Sequence, residues 1–111
     1  MRYVFHPAAL TEYAQAVQFY TERRVELAQA FINAVEDAIF RLVESPTRSP
    51  IVDEDIRRCL TRKFPYGILY TIEDDFILIL AVLHCNREPG YWKERVTEKP
   101  PDKEVIMEWI D

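Results

Sequence analysis

The sequence is short of glycine and cysteine and has no long apolar run, and each shortage excludes something. It has 2 glycines, so few positions take a positive φ cheaply. No low-complexity segment or internal repeat is visible. Its 2 cysteines, Cys59 and Cys85, make no disulfide framework. Both fall in predicted strands or at a strand end, as reduced core or edge residues do. With His6 and His84 they show no zinc-type spacing, so no metal and no cofactor is expected. No apolar run approaches the ~20 residues that cross a bilayer. The first stretch, MRYVFHPAAL, lacks the apolar core of a signal peptide. The expectation is a cytoplasmic protein with no membrane partner. A cationic surplus is missing too: the net charge is −5, which weighs against a general nucleic-acid binder.

What is present suits one soluble globular domain of 111 residues, 49% hydrophobic and 30% charged. The charge is unevenly spread. Between Ile56 and Ile72 stand Arg57, Arg58, Arg62 and Lys63 with no acid. From Thr97 to Asp111, two lysines face Glu98, Asp102, Glu104, Glu108 and Asp111. A local basic surface for an acidic partner is compatible with the acidic total.

Arg2 to Phe5 reads as a short strand. His6-Pro7 then opens a helix, because proline fits the first turn, where its missing N–H costs nothing. Leu10, Tyr13, Ala14, Val17 and Tyr20 form one apolar stripe on a helix from about Pro7 to Arg23. Leu27, Phe31, Ala34, Val35, Ala38, Ile39 and Leu42 mark a second helix, from about Glu26 to Glu44, which Ser45-Pro46 stops. So short a link predicts an antiparallel helix hairpin. Ser45 to Asp55, with Pro46, Pro50 and three acids, reads as a loop. Ile56, Leu60 and Phe64 lie on one face of a strand; Tyr66, Ile68, Tyr70 and Ile72 lie on one face of the next. Pro65 marks a bend between them. Glu73-Asp74-Asp75 makes a hairpin turn into Phe76 to Leu83, which is apolar on both faces and therefore central. The fold class is α+β: an N-terminal strand, then an antiparallel two-helix hairpin packed on a mostly antiparallel curved sheet, in the order β-α-α-β-β-β, with a short C-terminal tail element. Pro100-Pro101 is a linker. In that tail, Val105, Ile106, Trp109 and Ile110 fall at helical spacing in a piece too short to be stable alone.

After the central strand come His84, Arg87, Tyr91, Trp92 and Arg95 around Pro89-Gly90. A buried strand that ends in a basic, aromatic cluster fixes such groups on a rigid base. Three motifs in order, Tyr13 to Tyr20, RCLTRKFPYGILY from Arg58 to Tyr70, and AVLHCNREPGYWKER from Ala81 to Arg95, resemble the RelE/ParE superfamily of type II toxin–antitoxin toxins. Many of its members bear the label plasmid stabilisation protein. The helix hairpin and the REPGYW segment look closer to the ParE-like branch.

The resemblance implies a toxin domain over residues 1–96, an acidic extension over 97–111, and a cognate antitoxin as partner. It implies growth arrest by one of two routes. A ParE-like toxin binds and inhibits DNA gyrase, with no nuclease chemistry. Its contact residues would be Arg57, Arg58, Arg62, Arg87, Tyr91, Trp92 and Arg95. A RelE-like toxin is a ribosome-dependent endoribonuclease, and its catalytic positions would match Arg58, Arg62, Lys63, His84, Arg87 and Tyr91. Cleavage by the 2′-hydroxyl needs a base, an acid and cations at one phosphate. A third reading is a non-toxic interaction module of the same fold. The acidic total favours the first, because a protein target needs only local complementarity. A sheet edge, the hairpin groove and local basic residues together suit an amphipathic, acidic peptide. Residues 104–110 have that character and are expected to dock in the groove of their own chain or of a twin in a homodimer.

Overall fold

Proline at the start of the first helix and the consecutive apolar residues Tyr3, Val4 and Phe5 before it dictate how the chain begins. The computed structural model describes residues 1–87, Arg95 and the segment 105–107. Strand β1 (Arg2–Phe5) passes through His6 into helix α1 (Pro7–Arg23). His6 caps that helix: its Nδ1 accepts from the Ala8 N–H at 3.1 Å, while its own N–H donates to the Ile79 carbonyl at 2.8 Å. A single extended residue, Arg24, separates α1 from α2 (Val25–Glu44), and the two helices pack on each other. Then follow β2 (Ile51–Asp53), β3 (Ile56–Leu60), β4 (Tyr66–Ile72), β5 (Phe76–His84) and β6 (Val105–Met107).

The sheet has the order β2-β3-β4-β5-β1-β6. Among the described strands, the β1–β5 pair is parallel and the others are antiparallel. The expected α+β architecture is therefore present, with β5 between β4 and β1 as its unbroken apolar run requires. One face of the sheet packs under the helices. There Phe31, Val35, Ala38 and Leu42 of α2 meet Phe5, Ile68, Tyr70, Ile77 and Ile79, all buried. Val4, Leu69, Leu78 and Leu80 form a second buried cluster. Of the α2 stripe read from the sequence, Phe31, Val35, Ala38, Ile39 and Leu42 are buried and Leu27 and Ala34 half-buried, while Ala28 is buried in addition. The α1 stripe needs one change: Ala16 is buried and Ala14 exposed, because α1 packs on β5 as well as on α2.

Three segments differ from the sequence reading. Strand β3 ends at Leu60, so Phe64 lies in the turn after it and packs against the helix-side core, whereas Ile56 belongs to the second cluster. The Ser45 to Asp55 loop contains strand β2, paired with β3 across an irregular register. Ile51 and Val52 suit a strand, but Pro50 and the following acids mask the signal. That loop is tied down by Arg57, whose Nη1 donates to the Thr47 and Ser49 carbonyls at 3.0 and 2.7 Å, and by the Tyr70 hydroxyl, which donates to Pro46 O at 2.6 Å. The tail segment Val105–Met107 is a strand and not a helical piece, and pairs antiparallel with β1 in the register Phe5↔Val105 and Tyr3↔Met107. It lies on the outer edge of the sheet, not in the hairpin groove; an unpaired edge is a stronger organiser than a helical spacing three residues long. Trp109 and Ile110 lie outside the described residues.

Tyr13 stacks on Phe5 with ring centroids 6.1 Å apart and meets Phe31 edge-on at 6.1 Å. Burial, and then the nearby Glu36 carboxylate, push its phenol from 10.0 up to about 12. A pKa raised in the folded state gives stability that is complete below pH 10 and is lost as pH climbs through the folded value. Urea midpoints should therefore hold steady up to pH 10 and fall between pH 10 and about 12. Tyr13→Phe should flatten part of that fall; an identical slope in the variant would remove Tyr13 from the cause.

Candidate functional site

β1 stops at Phe5, paired with Ile79, whereas β5 continues to His84. Beyond that point α1 runs alongside the edge of β5 that β1 leaves, and a cleft of about 180 Å³ opens between them. Glu12, Gln15, Ala16 and Phe19 of α1 form one wall; Val82, His84 and Arg87 form the other, with Tyr66 at the base. The alternation of β5 is broken once. Leu69 pairs with Ala81 and Tyr70 with Ile79, so Leu80 is an extra residue in a bulge.

An ion pair fills the first gap left by β1. Glu12 and Arg95 have side chains only 10% and 13% exposed, and their closest contact is 2.9 Å. Arg95 Nη1 and Nη2 donate to the two Glu12 carboxylate oxygens at 2.9 and 3.2 Å. Arg95 Nη1 also donates to Leu80 O at 2.9 Å, while Glu12 Oε1 accepts from the Val82 N–H at 3.2 Å. Two side chains thus satisfy backbone groups that a longer β1 would have met.

Aromatic rings surround the base of the cleft. Phe31 is fully buried, with centroids 5.0 Å from Tyr20, 5.3 Å from Phe64 and 4.9 Å from Tyr66. The Tyr66 ring meets His84 edge-on at 5.3 Å. Burial pushes the phenols of Tyr20 and Tyr66 up, so both are neutral near pH 7 and neither serves as a base there. Phe19, 44% exposed, carries Arg23 over its ring at 3.6 Å.

The residues nominated from the sequence divide among several places. His84 and Arg87 line the α1–β5 cleft. His84 Nδ1 accepts from the Asn86 N–H at 3.0 Å, and the Arg87 N–H donates to His84 O at 3.0 Å. Arg62 lines a different cleft, of about 320 Å³, against the end of α2 with Arg41 and Arg48. Its Nη1 lies 3.7 Å from Asp37, which also holds Arg41 at 3.0 Å. Arg41 in turn donates to Cys59 Sγ at 3.6 Å and Leu60 O at 3.1 Å. Arg58 is exposed, and its stem lies over Gly67, where a Cβ would stand 3.2 Å from the Arg58 Cγ and Cδ. Lys63 sits at the exposed β3–β4 turn with φ 69°, a left-handed conformation for a side-chain-bearing residue. Arg57 holds the loop before β2, and Arg95 is enclosed with Glu12. Tyr91 and Trp92 lie outside the described residues.

Glu12, Gln15 and Phe19 escaped the sequence reading. Glu12, Ala16 and Phe19 recur at i, i+4 and i+7, the spacing of one helix face, but the carboxylate disguised the stripe. Among the described residues, no group of His, Cys, Asp and Glu could hold a metal ion, and no helix is long and apolar enough to cross a membrane.

Comparison with known proteins agrees with this frame. No curated protein matches the chain. A solved structure described as a chromosomal ParDE toxin–antitoxin system from P. aeruginosa superimposes with a TM-score of 0.64 at 13% identity, covering 72% of this chain and 90% of that one. At that identity the likeness speaks for the fold alone. The family described as "ParE toxin of type II toxin-antitoxin system, parDE" matches residues 3–89, from β1 through the end of β5 and the turn after it, and the chain belongs to that family.

Proposed function

We propose that this toxin acts in the cytoplasm by binding and inhibiting a protein target such as DNA gyrase, and that a cognate antitoxin neutralises it. Residues 1–96 would carry toxicity, with 97–111 as an acidic extension. The observation that supports this reading is the scatter of the nominated groups. Arg62 belongs to the α2 cleft, His84 and Arg87 to the α1 cleft, and Arg58 to a separate exposed position over Gly67. Cleaving a phosphodiester needs base, acid and cations within reach of one phosphate. A contact surface works with separate patches, and a net charge of −5 adds no long-range pull toward RNA.

Induction without antitoxin tests the reading. Filamentous cells with a DNA-damage response are expected. An early stop in translation with cut transcripts would favour the nuclease, and unimpaired growth would contradict a toxin of either kind. Arg87 is exposed at the mouth of the cleft. Arg87→Ala should reduce inhibitory potency about tenfold, the effect of losing ~1.4 kcal/mol of contact. Its unfolding midpoint should match the wild type; a marked drop would assign Arg87 to folding instead.

A further inference from the structure

The cleft of about 320 Å³ at the end of α2 is separate from the one that holds His84 and Arg87. Arg41, Arg48 and Arg62 all line it, with Phe40, Glu44 and Ser45. Guanidiniums gathered in one recess repel one another unless an anion stands between them. Asp37 does part of this: Arg41 Nε donates to it at 3.0 Å, and Arg62 Nη1 lies 3.7 Å from it. Arg41 is fixed by two further bonds, to Cys59 Sγ and the Leu60 carbonyl, which leaves it N–H groups to spare. Arg48 is different. Among the described residues its guanidinium has no hydrogen bond and no ion pair, although Glu44, four residues before it, lines the same recess. Arg41, Arg48 and Arg62 stand against Asp37 and Glu44, so one positive charge is left over in a chain whose total is −5. A cation in the last turn of a helix complements its dipole, which accounts for Arg41. Arg48 and Arg62 lie beyond α2 and are not explained that way.

We infer that this cleft binds a nucleoside monophosphate, its phosphate gripped by Arg48 and Arg62 and its base laid on the ring of Phe40. A guanidinium fork matches phosphate oxygens two bonds at a time, which a point charge does not. The Ser45 hydroxyl is a further donor in the same lining. Arg41, already immobilised, adds its charge without losing side-chain freedom. The carbonyl end of α2 opposes an anion, but that field is confined to the last turn and is weaker than two charge-assisted pairs. Phe40 is 53% exposed and gives the cleft a flat aromatic face on which a base stacks. The volume lies at the lower end of the ~300–1,000 Å³ usual for ligand pockets, which suits one nucleotide.

Such a site is independent of the proposed target contact, because His84 and Arg87 belong to the other cleft. The test is calorimetric titration of the full chain at low salt with AMP, and with inorganic phosphate and adenosine as its two halves. AMP should bind at a single site, about tenfold more tightly than inorganic phosphate, and adenosine should not bind measurably. Arg48→Ala should weaken AMP binding at least tenfold and leave the unfolding midpoint of the free chain unchanged, since that side chain makes no bond in the fold. Arg48→Lys, which keeps the charge and loses the fork, should fall between the two. Phe40→Ala should lower AMP to the affinity of inorganic phosphate while inorganic phosphate itself binds as before. No saturable binding of AMP, or AMP binding that Arg48→Ala leaves intact, would overturn the site. Adenosine binding as tightly as AMP would overturn the phosphate grip, and inorganic phosphate binding as tightly as AMP would overturn the nucleotide.

Discussion

Replacing Phe31 by Ala is expected to destabilise the fold by about 3–5 kcal/mol, the usual cost of emptying a buried phenylalanine site. Phe31 has no exposed surface and touches the rings of Tyr13, Tyr20, Phe64 and Tyr66. It fastens α2 to α1 and to the β3–β4 turn together, so the cavity cannot close by shifting one neighbour. Against a total stability of roughly 5–15 kcal/mol for a domain, that is a large share. Denaturant unfolding of the two proteins checks it. A loss under about 1 kcal/mol would mean that the rings repack and that the hub is not where the layers are joined.

The second large effect is expected at Glu12 and Arg95. Arg95→Ala leaves the Glu12 carboxylate enclosed, with its oxygen still held by the Val82 N–H. Breaking one partner of a buried pair costs about 3–5 kcal/mol, because the survivor is a desolvated charge. Glu12→Ala should cost a similar amount, since it strips both Arg95 and Val82 of an acceptor. The double variant should be less harmful than the sum of the singles. That sub-additivity, read from a double-mutant cycle of unfolding free energies, is what distinguishes a coupled pair from two independent packing losses. Strict additivity would contradict the coupling.

Much of this architecture was legible in the residues. The α2 stripe, the central position of β5, the turn at Glu73 to Asp75 and the bend at Pro65 each come from a local rule that tertiary packing reinforces: period 3.6, an apolar run, turn residues, and proline's missing donor. β2 and β6 were not legible, because both are three residues long and exist by pairing with a neighbour. Strand pairing is a non-local fact that a three-residue window does not carry. The candidate site divides in the same way. His84 and Arg87 stand out because they follow an unbroken apolar strand. Glu12 does not, because on sequence alone an acidic residue on an amphipathic helix reads as solvent-facing. Its role depends on β1 ending at Phe5 while β5 continues, a difference in strand length that only the folded sheet reveals. Arg57 and Arg95 looked like surface cations; their guanidiniums serve carbonyls and a carboxylate inside the fold. Arginine suits both settings, and composition does not separate them.

On this reading the end of β5 presents a contact surface to a protein target. DNA supercoiling by purified gyrase, titrated with the purified wild-type chain and with Arg87→Ala, is the measurement that decides it. Inhibition by the wild type is expected, with about tenfold weaker inhibition by the variant at an equal unfolding midpoint. Gyrase that keeps its full activity at a large molar excess of this chain, while the same preparation cuts messenger RNA in a purified translation mixture, would contradict it.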